Sequence, residues 1–111
     1  MIESLNELII DALEDIVPVV QPDIYKGSAL EYITFKYDEA PDLNGDDYPD
    51  VIRYAVQVHY CCPLKTNSLS KRRAIKQALA GLGGTYPSVV NIVDENGQEF
   101  VFSFEYADGD V

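Results

Sequence analysis

Leu5, Leu8, Ile9, Ala12, Leu13, Ile16 and Val17 recur at three- and four-residue spacing. This places one apolar stripe on a helix predicted over residues 2 to 17. Glu3 and Glu7 sit near its start, where the helix dipole favours anions, and Pro18 stops it. "VPVVQPDIYKGSA" reads as an extended lead-in held open by Pro18 and Pro22. "LEYITFKYD" then alternates as a strand does, with Glu31, Ile33, Phe35 and Tyr37 on the expected core face. In "VIRYAVQVHYCC", residues 51 to 62, Ile52, Tyr54, Val56, Val58, Tyr60 and Cys62 share one face. Arg53, Ala55, Gln57, His59 and Cys61 share the other.

Pro63 ends that strand, and Ser68 or Ser70 is positioned to cap a second helix. Its stripe is Ala74, Ile75, Ala78, Leu79 and Leu82, and Gly83 and Gly84 are expected to end it. Lys71, Arg72 and Lys76 fall mostly off the stripe and are expected to face outward. "SVVNIVDENGQEFVFSFEY" is a hairpin turning at Asn96-Gly97, with Phe100, Phe102, Phe104 and Tyr106 on a buried face. "ADGDV" is a short, loose acidic tail. The pattern predicts an α+β domain of order α-β-β-α-β-β. Two helices would pack on one face of a largely antiparallel four-stranded sheet.

The chain has 111 residues, enough for one domain, residues 1 to 111 forming a single unit. Its apolar runs are far shorter than the roughly 20 residues of a membrane span. "MIESLNELII" opens acidic, without the basic region of a secretory signal, so the chain is expected to stay in a cytoplasm. Charge changes the picture more. The formal net charge is −11, yet Lys65, Lys71, Arg72, Arg73 and Lys76, five of eight basic residues, lie within "KTNSLSKRRAIKQ". Residues 1–50 hold thirteen acids and two bases, residues 51–93 no acid and six bases, and residues 94–111 six acids and no base. The acidic surplus argues against a general nucleic-acid binder, which draws its affinity from many phosphate contacts.

Candidate chemistry is sparse. "DEAPDLNGDDYPD", residues 38 to 50, is a polar acidic loop. Asp42, Asn44 and Asp46 match the first ligands of a calcium loop, but its sixth position is Asp47 instead of glycine and its twelfth is Arg53 instead of glutamate. His59 is the single histidine, so no imidazole partner completes a metal site, and it is expected as an exposed or interface side chain on the outer face. Cys61 and Cys62 are neighbours on a strand and point to opposite faces, one buried and one partly exposed, so they share neither a metal nor a disulfide. Cys61 and His59 share a face but stand about 6.5–7 Å apart along the strand, too far for a nucleophile and its base. No Gly-x-Ser-x-Gly elbow occurs, and the glycines of "AGLGGTYP" follow a helix instead of opening one. No catalytic residue, cofactor or metal is expected.

The order and texture of these segments do resemble a family. An amphipathic first helix leads to "PDIYKGSALEYITF", residues 22 to 35, then the Asp-rich loop, the strand "YAVQVHY", residues 54 to 60, the basic helix and the closing hairpin. Over nearly its whole length the chain resembles the small tail-completion proteins of tailed bacteriophages, also called tail terminators or tail-to-head joining proteins. Neck and head-completion proteins look similar. The resemblance implies a small α+β domain without cofactor, assembled as a ring, usually a hexamer. That ring caps the tail tube, docks the head through neck connector proteins, and resides in the virion after assembly in the host cytoplasm. It also implies that residues 38 to 50 project and that the basic helix lies near a subunit contact. A ring brings two different patches of each subunit together. Lys71, Arg72, Arg73 and Lys76 are therefore expected to face acids of the next subunit, among them Asp42, Asp46, Asp47 and Asp50. An acidic remainder would let DNA pass the bore without sticking. The other classes are a small ferredoxin-like binding module and a small enzyme, and a ring mass in solution separates them from the first.

Overall fold

The computed structural model describes residues 2–40, 52–64, 67–95 and 97–108. In chain order the elements are α1 (Ile2–Leu13), β1 (Val20–Pro22), β2 (Tyr32–Ala40), β3 (Ile52–Cys62), α2 (Leu69–Ala80), β4 (Ser88–Asp94) and β5 (Gly97–Asp108). The architecture is α+β, with five strands in the spatial order β1-β2-β3-β5-β4 instead of the expected four. The element order is therefore α-β-β-β-α-β-β. The added strand, β1, runs parallel to β2, while all other pairs are antiparallel. It lies within the segment read as an extended lead-in. Its three residues cannot display an alternation, and Pro22, lacking an N–H, is tolerated because β1 is an edge. Backbone bonds clamp it: the Ile33 N–H donates to Val19 O and the Asp23 N–H donates to Phe35 O, both at 2.8 Å.

The three central strands stack the expected core rows. Ile33, Tyr60 and Phe100 form one cross-strand rung, Phe35, Val58 and Phe102 the next, and Tyr37, Val56 and Phe104 the third. Leu5, Ile9, Leu13 and Val17 join Ile75 and Leu79 against this face, so the two helix stripes and one sheet face share a single core. The Tyr37 hydroxyl donates to Asn6 Oδ1 at 2.6 Å and ties α1 to β2.

Helix α1 stops at Leu13, short of the expected Val17. The chain then winds in tighter turns, with the N–H groups of both Ile16 and Val17 donating to Leu13 O. Val17 thereby stays on the apolar stripe and is buried without extending the helix. Ser68 precedes α2 as expected, but its side chain makes no cap bond. The Asn67 Oδ1 instead accepts from the Leu69 N–H at 3.4 Å. The helix closes at Ala80 with Gly81 as its cap, before the glycines expected to end it. Gly83 follows with φ 97°, a left-handed backbone that glycine alone adopts freely. β5 continues through Asp108, so Ala107 and Asp108 belong to the sheet and not to a loose tail. Asn96 of the predicted turn lies outside the described residues. No helix among the described residues is long and apolar enough to cross a membrane.

Candidate functional site

Helix α2 carries the basic cluster. Lys71, Arg72 and Lys76, expected to face outward, are each half-buried and each engage a group of the same chain. Lys71 Nζ donates to Glu31 Oε1 at 2.6 Å. The Arg72 guanidinium lies 4.6 Å from the centroid of Phe100, covering that ring, and its Nε is buried without a hydrogen-bond partner among the described residues. Lys76 Nζ sits 5.0 Å from the ring centroid of Tyr86. The physical reason is the length of these side chains. Their apolar stems lie along the core margin while the charged heads reach carboxylate or aromatic faces. Arg73 alone of the four is exposed, on a shallow surface with Asn67, Ser70 and Gln77. Asp42, Asp46, Asp47 and Asp50, like Lys65, lie outside the described residues.

Glu31 is the centre of a small polar relay that sequence reasoning placed on the core face without a role. Its second oxygen accepts from the buried Tyr60 hydroxyl at 2.5 Å. Burial acts to raise the Glu31 carboxyl, but the bonds from Lys71 and Tyr60 and the Lys71 charge outweigh it, and the group lies below its ordinary range. Burial, then the bond to Glu31, pushes the Tyr60 hydroxyl far up, so it remains a donor. The signal available in sequence was the pairing of an acid with a core-facing tyrosine on the next strand.

On the outer sheet face, His59 Nδ1 and Glu99 Oε2 are 2.5 Å apart. The histidine lies on the expected outer face and is half-buried there, with Glu99 of β5 diagonal to it across the strand pair. Cys61 lies beside them above a shallow depression of about 320 Å³ that Leu30, Tyr32, Gln98 and Glu99 also line. Its thiol is pushed up, first by burial, although a hydrogen bond with Tyr32 works in the opposite sense. A nucleophilic cysteine requires a lowered value, and the His59 nitrogen facing Glu99 is already occupied. Among the described residues, no group of three His, Cys, Asp or Glu is placed to hold a metal.

The surface that sequence reasoning missed is β4. All seven of its residues are exposed, although four are β-branched aliphatics. The hairpin folds with β5 inward against β3 and β4 outward, so among the described residues β4 is an edge of the sheet. The detectable signal was its pattern: Val89, Val90, Ile92 and Val93 put apolar groups on both faces, unlike the alternation of β2, β3 and β5. The chain matches no family model and no curated protein.

Proposed function

We propose that this chain is a structural subunit that assembles as a homo-oligomeric ring, a hexamer, at the head-proximal end of a phage tail. There it terminates the tail tube and offers the surface onto which head-neck connector proteins dock. Arg73, exposed on a basic helix of an acidic chain, is the observation that carries this reading. A ring contact joins two unlike patches, and opposite charge on those patches favours one orientation and disfavours the flipped one. The acids supplied by the next subunit are those of residues 38 to 50, Asp42, Asp46, Asp47 and Asp50 foremost. Lys71, Arg72 and Lys76 are engaged inside the chain, so Arg73 is the one of the four whose charge can be reversed without breaking a contact among the described residues. The depression at Cys61 and the pair His59–Glu99 give no support to a catalytic role.

The test is assembly. The purified chain is imaged by negative stain and weighed in solution, alone and with a phage tail-tube protein. Rings are expected in the presence of the tail-tube protein, and Arg73→Glu is expected to abolish them while leaving the fold intact. Asp46→Lys with Asp47→Lys is expected to restore part of the assembly. Normal rings from Arg73→Glu would defeat the charge-paired contact, and a mass that never exceeds two copies under either condition would defeat the ring.

A further inference from the structure

We propose that β4 is a self-pairing strand, through which two copies of this chain join edge to edge in a two-fold dimer with Asn91 on the axis. This contact is distinct from the ring contact above and stands whether or not that reading holds.

The two edges of the sheet are unlike. β1 is three residues long and ends in Pro22, which has no N–H to offer. β4 is seven residues long, roughly 23 Å of backbone. Val89, Val90, Ile92 and Val93 are 37%, 56%, 47% and 57% exposed. An unguarded, β-branched edge of this kind is a template for another strand, and proteins usually blunt such edges with lysine, proline or a bulge. No proline or charge interrupts Ser88 to Val93. A continuous sheet running head to tail through β1 would leave most of β4 unpaired, because β1 is too short. Of the two described edges, a second β4 is the one that offers a matching length.

The sequence of β4 fits itself. Read from Asn91 outward, "SVVNIVD" meets valine or isoleucine at the first and second positions in both directions. In an antiparallel pair with Asn91 opposite Asn91, Val90 of each copy faces Ile92 of the other, and Val89 faces Val93. Directly opposite residues share a face. Val90 and Ile92 lie on the open outer face, beside Val101 and Glu99 of β5. Val89 and Val93 lie on the helix side, beside Phe102 and Gln98. Every exposed apolar residue of the strand thus gains an apolar partner. A two-residue slip in one direction sets Ile92 against Ser88, and in the other sets Asp94 against Val90, so the Asn91-centred register is the favoured one.

Charge points to the same arrangement. Asp94 and the adjoining Glu95 mark the turn end of the hairpin. Pairing about Asn91 keeps the two acidic ends about 20 Å apart, beyond the roughly 8 Å screening length at physiological salt. Each acidic end instead meets the Ser88 end of the other copy, where Lys76 lies over the exposed Tyr86. A two-fold contact closes at two copies and generates no ring. The dimer is therefore the form of the free protein, and the edge is available to it before incorporation into any larger assembly.

Sedimentation of the full-length chain over a wide concentration range is expected to give twice the chain mass. Val90→Lys with Ile92→Lys is expected to give the chain mass at every concentration where the unaltered protein is dimeric, with an unchanged far-ultraviolet spectrum. Register is read by cross-linking in a Cys61→Ser background. Asn91→Cys is expected to form a disulfide-linked dimer under mild oxidation. Ser88→Cys alone is expected not to, and Ser88→Cys with Asp94→Cys is expected to do so again. A monomer at the highest concentration, a dimer that survives the lysine pair, or equal cross-linking by Ser88→Cys and Asn91→Cys would each overturn the proposal. Rings that Arg73→Glu dissolves and the lysine pair leaves intact, with no dimer preceding them, would retain the ring reading and discard this one.

Discussion

The Tyr60 hydroxyl donates to Glu31 at 2.5 Å, from a ring that is fully buried in the core. Lys71 holds the other carboxylate oxygen, so one acid at the sheet margin joins β3 to α2. The Glu31 carboxyl lies below its ordinary value of 4.5 when the chain is folded. A carboxyl depressed by folding contributes stability above its unfolded value, and that contribution is lost as the pH falls through the folded value. The difference in denaturation midpoint between the unaltered chain and Glu31→Gln is therefore expected to be largest at neutral pH. It should begin to shrink near pH 4.5 and vanish below the folded value. A difference that is constant across this range would exclude the relay as a source of acid sensitivity.

The face of β5 separates core from surface residue by residue. Phe102 is fully buried, while Val101 lies half-buried on the outer face. Phe102→Ala is expected to cost about 3–5 kcal/mol, a large share of the stability of a domain this small. Val101→Ala is expected to cost about 1 kcal/mol or less, since among the described residues both helices pack on the opposite face. Urea denaturation of both variants measures the contrast, and equal losses would contradict the register Val58↔Phe102.

These two cases also show why some of the structure was legible in the sequence. Phe100, Phe102 and Phe104 alternate with Glu99, Val101, Ser103 and Glu105, and Ile33 and Phe35 with Tyr32, Thr34 and Lys36, because each of these strands has one covered and one open face. β1 escaped because three residues around prolines carry no period, and its pairing is set by the distant β2. β4 was recognised as a strand but not as an edge, because position in the sheet is decided by how the hairpin docks on β3. The basic cluster was legible as a composition. Its division into engaged Lys71, Arg72 and Lys76 and exposed Arg73 was not, because that depends on where Glu31, Phe100 and Tyr86 arrive in space.

Gly84 sits where the end of the α2–β4 connection meets β5. A Cβ there would stand 2.2 Å from Glu105 O, a backbone atom held by the Thr85 N–H at 2.9 Å. The neighbouring clasp, from the Glu105 N–H to Thr85 Oγ1 at 2.8 Å, would have to shift with it. Gly84→Ala is expected to destabilise by about 1–3 kcal/mol, as overpacking against backbone does. Thermal melts against Thr85→Ala, which removes only the side-chain bond and is expected to cost about 1 kcal/mol, check the origin of the loss.

Both thiols are expected to be sluggish. Burial pushes Cys61 and Cys62 above the ordinary cysteine range, outweighing the hydrogen bonds they share with Tyr32 and Tyr60 respectively. The thiolate is the reactive form, so alkylation at neutral pH should be slower than for a free cysteine and should accelerate in alkali. Cys61, half-buried, is expected to label first, and Cys62, buried, only on unfolding. Mass spectrometry of peptides after timed iodoacetamide exposure distinguishes them. Rapid labelling of Cys61 at neutral pH would show an activated thiol and reopen a chemical role for the outer face.

Lys71 and Arg73 lie two residues apart on α2, about 200° around the helix, and charge reversal should treat them differently. Lys71 bonds Glu31, so Lys71→Glu removes that bond and sets a second carboxylate beside the first. The pair is partly shielded, with side chains 37% and 24% exposed, so its loss lies between the surface and buried regimes. Lys71→Glu is expected to cost about 1–2 kcal/mol, and salt should relieve part of that cost by screening the new repulsion. Arg73 is exposed and lies off the core stripe, so Arg73→Glu should change fold stability by less than about 0.5 kcal/mol. Its effect is expected in assembly alone. The two readouts, urea midpoint and particle mass, should therefore dissociate: Lys71→Glu lowers the first, and Arg73→Glu lowers the second. If Arg73→Glu instead destabilises the isolated chain as much as Lys71→Glu does, Arg73 is a structural residue of α2, and its loss of assembly would say nothing about a subunit contact.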